Sequence, residues 1–271
     1  MKSQRSLGLV VEGNATSSQV LRLPSIAEEL GPVKAGALRV ARRLSNFLRA
    51  GYAVSHYQDL QPARVVFLRV SDSAAPRIVD EICTSDLVLK NISFVLCETC
   101  LSSSTLGPLQ TRGALTATMS PVQTHRKSWF VVEGQSTAVR HVRRFLQRND
   151  ARAFELRPGT KPLYFAAQLF SMALPTQLLV AAQHALRTAG ITGNHLYDLL
   201  EEMSIEMFRS FSNGVRFTWP AARTGCSTEM AFEYLEYLRG RYPLLAAALD
   251  EQMAVAHRRG EFKAETQRGA S

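Results

Sequence analysis

The sequence predicts an α/β domain built on a mostly parallel sheet, followed by an all-helical domain. Short β-branched or aromatic runs alternate with helical patterns through the first half, which is how chains of βαβ units read. The alternation stops at Pro158, and no strand pattern returns before the C-terminus. A chain of 271 residues, 46% hydrophobic and 20% charged, has globular composition and length enough for two cores. The expected boundaries are 1–157 for the α/β domain, 158–259 for the helical domain and 260–271 for a polar, disordered tail.

Taken in order, the expected strands cover 7–11, 52–55, 64–70, 91–97, 114–119, 129–133 and 151–156. The clearest helix covers 37–50, where Leu38, Ala41, Leu44 and Leu48 recur at helical spacing and Arg39, Arg42, Arg43 and Arg49 fill the other face. Gly51 supplies its stop. Beyond Pro158, Pro162 suits a first helical turn, and the segment to Ala189 is apolar nearly all round, with Pro175 expected to kink it. Gly190 and Gly193 separate it from a helix over 196–211, and further helices are expected over 228–239 and 243–258.

Several function classes drop out on composition. No uninterrupted apolar run is long enough for a membrane span, and the apolar stretch near the N-terminus is too short for a signal peptide. Four cysteines do not build a disulfide scaffold, so a reducing cytoplasm is expected. Cys97-Glu98-Thr99-Cys100 has redox-pair spacing, but no second pair completes a zinc site, and no metal is expected. The net charge of +9 is spread out. Its densest stretch, Arg140, His141, Arg143, Arg144, Arg148, Arg152 and Arg157, lacks interleaved aromatics and reads as a solvated helix face rather than a nucleic-acid footprint.

A dinucleotide site needs backbone N–H groups and glycines after a strand, because side chains would block the pyrophosphate. Two segments compete. Gly13, Asn14, Thr16 and Ser17 follow the best strand and could bind phosphate or cap a helix. Gly31-Pro32-Val33-Lys34-Ala35-Gly36 keeps the outer glycines of Gly-x-Gly-x-x-Gly, but Val33 replaces the middle one and Pro32 removes a donor. The preferred arrangement runs the first strand at 7–11 and connects it through 13–18 to the helix starting at Ala37. Counting from Gly36 then reaches Asp59, a candidate for the adenine ribose or an ordinary cap.

Further motifs support a specific resemblance. Ser120-Pro121-Val122-Gln123, Lys161-Pro162-Leu163-Tyr164-Phe165-Ala166-Ala167 and Asn213-Gly214 running into Thr218-x-Pro220-x-x-Arg223 follow in order over roughly residues 50 to 258. This chain resembles the Rossmann-like NADP oxidoreductases whose helical C-terminal domain is similar to those of pyrroline-5-carboxylate reductase and 6-phosphogluconate dehydrogenase. The resemblance implies hydride transfer with NADP, or NAD, on a small polar substrate, with the loop of Ser71 and Asp72 facing the cofactor. It also implies polar roles for Lys161 as acid or anion clamp, Tyr164 as donor and Arg223 as binder of a carboxylate or phosphate. The chain departs from the family at Ser120 and Phe165, where the family has histidines, at Ala173 for asparagine, and at Trp219, Thr224 and Gly225 for Gly, Gly and Asp. A silent ligand-binding or interaction module is therefore the alternative to an enzyme. A helix apolar on all sides fits a homodimer.

Overall fold

The computed structural model describes residues 6–13, 18–123 and 128–213, with scattered positions between 236 and 251. The chain divides into two compact units, residues 1–167 and 168–271. The first unit holds strands β1 (Leu7–Val11), β2 (Leu30–Ala35), β3 (Tyr52–Val54), β4 (Val65–Arg69), β5 (Ser93–Cys97), β6 (Leu115–Pro121), β7 (Trp129–Gly134) and β8 (Arg152–Glu155). They form one sheet in the order β3-β2-β1-β4-β5-β6-β7-β8, parallel throughout except between β6 and β7. This is a Rossmann-like α/β fold, as expected.

The period-2 alternation of β1 and β4 sorts their side chains onto two cores. Leu9 and Phe67 face one layer with Ala41 and Leu44 of α2 (Leu38–Leu48) and with Val142 and Phe145 of α5 (Ser136–Arg148). Val10 and Leu68 face the other with Ile78 and Ile82 of α3 (Ala75–Thr84). Phe67 and Phe145 meet edge to face, ring centroids 5.0 Å apart. Side chains of this size, fully buried, contribute about 1.5–3 kcal/mol each. Both faces of the sheet are thus covered, which is what parallel strands require.

The expected connection from β1 to α2 is corrected. Between them stand a short helix, α1 (Pro24–Glu29), and β2, so Gly31 to Ala35 lie within a strand and do not form a phosphate loop. Pro32 and Lys34 disguise β2 as a loop, since proline cannot donate to a ladder. The strand tolerates Pro32 through a bulge: Leu7 pairs with Leu30 but Leu9 pairs with Val33, leaving one extra residue in β2. The stop of α2 also differs, because the left-handed C-cap residue is Arg49, with φ of 51°.

Past β8, α6 (Lys161–Gln168) and α7 (Leu174–Thr188) are joined by a π-helical turn at Leu169–Ala173. The loosened turn precedes Pro175, whose ring and missing N–H a regular α-helix would not accommodate. In the second unit α7 contacts α8 (Asn194–Ser212), and Gln183 Nε2 donates to Tyr197 Oη at 3.0 Å. The helices expected over 228–239 and 243–258 and the tail from 260 lie largely outside the described residues.

Candidate functional site

The strand order reverses at β1, which has β2 on one side and β4 on the other. After β1, Leu21 and Ile26 pack in the layer of α2 and α5, whereas α3 after β4 packs in the other, so the chain parts to opposite faces at a topological switch point beyond the carboxyl ends of β1 and β4. Gly13 ends the first loop's described part with φ of 83° and open space around its Cα. Asn14, Thr16 and Ser17 lie outside the described residues. Ser18 is fully buried, and its Oγ accepts from Leu21 N at 3.2 Å.

Glu98 dominates this place. It stands directly after β5 in a left-handed conformation, φ of 55°, and its backbone N–H donates to Met119 O at 2.7 Å. One carboxylate oxygen accepts from Ser18 Oγ at 2.8 Å and from Val20 N at 2.9 Å. The other lies 2.7 Å from Arg69 Nε at the end of β4. The Arg69 N–H is not aligned on that oxygen, so this is an ion pair rather than a well-formed hydrogen bond. Nearby, Glu12 pairs with Arg77 of α3, which also pairs with Glu81.

Asp72 has a bracing role. Thr99 Oγ1 donates to one of its oxygens and Cys100 N donates to the other at 3.0 Å, tying the β4 loop to the β5 loop. Ser71 Oγ accepts from Ala74 N at 3.3 Å, at the start of α3. Ser120, where the resembled family has histidine, donates to Thr99 O at 2.9 Å and accepts from Thr99 N at 3.2 Å. The loops of β4, β5 and β6 are therefore locked to one another by hydrogen bonds.

Asp59 is elsewhere. It sits after β3, two strands removed from β1, and accepts from His56 N at 3.0 Å in a capping box. Counting from Gly36 reaches Asp59 only where Gly36 closes a phosphate loop, whereas Gly36 directly follows β2. At the end of β2 stand Gly36 and Ala37, followed by exposed Arg39, with no acid.

Lys161, at the start of α6, is 1% exposed. Its Nζ donates to Leu101 O at 2.8 Å and Thr118 Oγ1 at 3.1 Å. Burial, only partly opposed by the negative charges of Glu133 and Asp72, brings its pKa down to about 8. Glu133, fully buried on β7 opposite Thr118, accepts through Oε1 from Ser102 Oγ at 2.8 Å, Ser103 Oγ at 3.3 Å and Gly159 N at 2.8 Å. Its Oε2 has no hydrogen-bond partner among the described residues. Tyr164 is half-buried against Phe165, ring centroids 5.3 Å apart, and burial raises its pKa. Arg223, Thr218 and the rest of that loop lie outside the described residues.

Two of the sites raised by the sequence are plain in structure. Cys97 and Cys100 are free thiols, and burial raises the Cys97 pKa well above the ordinary thiol range, opposite to what a redox pair needs. Among the described residues no group of three or more His, Cys, Asp or Glu could hold a metal. The arginines of α5 carry ion pairs, Arg148 on Glu29 at 2.7 Å and Arg143 on Glu155 at 3.6 Å.

Residues 128–230 match the family model of a domain of unknown function, DUF2520. No curated protein is detectably similar to the chain in sequence. Solved structures share its fold. An NADP oxidoreductase-like protein from Bacteroides fragilis superposes with a TM-score of 0.72 at 14% identity, over 93% of this chain and 97% of that one. An imine reductase from Myxococcus stipitatus, in complex with NADP+, gives 0.65 at 15% identity, over 94% and 95%. A reductive aminase from Aspergillus terreus, in complex with NADPH and ethyl-5-oxohexanoate, gives 0.62 at 15% identity, over 94% of each chain. The structural neighbours are thus NADP oxidoreductase-like Rossmann proteins, and at these identities the likeness is one of fold.

Proposed function

We propose that this chain is a nicotinamide-dinucleotide oxidoreductase acting on a small polar substrate. The observation that carries the reading is the topological switch point between β1 and β4, because ligands of open parallel sheets bind outside the carboxyl ends of the strands there. The imine reductase and the reductive aminase, similar in fold over 94% of this chain, were solved with NADP+ and NADPH. The local residues fit a dinucleotide in part. Gly13 and Gly36 leave open space at the ends of β1 and β2, and Arg39 with no neighbouring acid at the end of β2 favours the phosphorylated cofactor. Glu98 is the point of misfit, since it brings a carboxylate where a pyrophosphate would come.

When bound, the cofactor would supply the hydride. Lys161, with its pKa near 8, is the chain's own candidate for proton transfer, with Tyr164 as a donor and Arg223 as the binder of a carboxylate or phosphate. Lys161 is sealed beneath the loops it bonds to, and Ser120 and Phe165 stand where the resembled family has imidazoles. These observations favour a second reading, a module that binds the dinucleotide without turning it over. The chain's oligomer is a homodimer, a reading supported by exposed apolar side chains such as Phe170, Leu178 and Phe211 on its helices. The reducing environment suggested by the free thiols Cys83, Cys97 and Cys100 suits the cytoplasm.

Titration of NADPH and NADH into the purified protein, read by cofactor fluorescence, tests the proposal. Saturable binding with NADPH preferred supports it, and substrate-dependent oxidation separates the enzyme from the silent module. Absence of binding at millimolar cofactor would refute both.

A further inference from the structure

We infer that Glu98 sets the affinity of the switch point for dinucleotides, because its carboxylate is held there by the groups that border it. The inference rests on the switch point as the proposed dinucleotide site. Four facts combine. Glu98 leaves an entirely buried strand and adopts a left-handed backbone, a conformation that disfavours a non-glycine residue and persists only where the surroundings hold it. Its side chain ties the end of β5 to two other places: Ser18 and Val20 on the chain leaving β1, and Arg69 at the tip of β4. Those groups are a hydroxyl, a backbone N–H and a guanidinium, the donor set that recognises phosphate oxygens. Glu98 and Arg69 side chains are only 12% and 19% exposed, so solvent screens the carboxylate weakly.

An anion arriving at the switch point therefore meets a like charge that already occupies the donors. A pyrophosphate has to displace Glu98 from Ser18, Val20 and Arg69 before it gains them. The cost of that exchange is subtracted from the affinity, and a neutral residue at 98 releases the donors to the ligand. Glu12 does not play this part, since its carboxylate pairs with Arg77 on α3, outside the donor set of Ser18, Val20 and Arg69.

The test is titration of NADPH into wild type, Glu98→Gln and Glu98→Ala, with Glu155→Gln on β8 as a control carboxylate distant in strand order. Circular dichroism melts establish which variants are folded. The near-isosteric glutamine carries the test where alanine leaves Arg69 and the Val20 N–H unpaired and the fold fails. The expected result is binding tightened roughly tenfold by Glu98→Gln, as for loss of one weakly screened like charge, and unchanged by Glu155→Gln. Equal or weaker binding by the folded Glu98→Gln protein, beside measurable binding by wild type, overturns the inference and leaves the proposed function standing. No binding by any folded protein at millimolar NADPH overturns the proposed function, and the inference with it.

Discussion

At the scale of single residues, Lys161 shows how burial turns an ordinary side chain into a titrating one. An unfolded lysine keeps its proton to about pH 10.4, whereas folded Lys161 releases it near about 8. Between those values the unfolded chain binds more protons than the folded one, so Lys161 favours folding more as pH rises through that window and least at neutral pH. Chemical denaturation of wild type and Lys161→Met at pH 7 and pH 10.5 should show wild type gaining on the variant, by up to about 3 kcal/mol. A difference that stays constant with pH would mean that Lys161 titrates normally. The sequence singled out Lys161 through a motif but offered no sign that it would be sealed against Leu101 and Thr118. Glu98 and Glu133 were passed over entirely. A lone acid after an apolar strand has no spacing signature, and its partners Ser18 and Arg69 are 80 and 29 positions away.

Among elements, strands written in β-branched and aromatic residues were legible, and β2 was not. Periodicity reports burial of side chains, and the Gly31-Pro32 pair carries turn chemistry that a bulge absorbs only in three dimensions. Taking β2 for a loop carries the count from Gly36 on to Asp59, past the end of β2 where the proposed dinucleotide site would place the ribose. The antiparallel pairing of β7 with β6 depends on a second backbone feature, at the end of β7 where Gly134 pairs with Ala117. Gly134 has φ of 147°, and a Cβ there would meet Thr116 O at 2.4 Å and Ala117 Cα at 2.5 Å. Both are backbone atoms of a central strand, so relief requires β6 to move. Gly134→Ala should destabilise the protein by more than about 3 kcal/mol, whereas Gly113→Ala, whose nearest contact is Lys90 Cα at 4.0 Å, should cost only about 1 kcal/mol for its φ of 87°. Urea denaturation of the two variants checks the contrast, and similar losses would show that backbone conformation rather than close approach governs both sites.

For the whole molecule, the division into a sheet unit and a helical unit was readable because the hydrophobic period changes from 2 to 3.6 at a proline. What covers the helices was not readable in the same way. The run Lys161–Thr188 is long and apolar enough, by length and composition alone, to cross a membrane, and its apolar stretch is mostly exposed. A second copy of the chain is the better occupant than lipid. The run begins at Lys161, which is bonded into the sheet unit, and it carries Gln168, Ser171, Gln177, Gln183 and His184. Amides, a hydroxyl and an imidazole spread along the run suit a protein surface better than hydrocarbon, where polar groups are costly to place. Leu163, Phe170, Leu178, Met207 and Phe211 are 52–70% exposed in the single chain, more apolar surface than a soluble monomer ordinarily leaves bare. Light scattering on detergent-free protein at micromolar concentration should give twice the chain mass, and Phe170→Glu with Met207→Glu should shift the population to monomer. A wild-type monomer under those conditions would remove the dimer, and protein that stays in solution only with detergent would hand the same helices to a lipid surface.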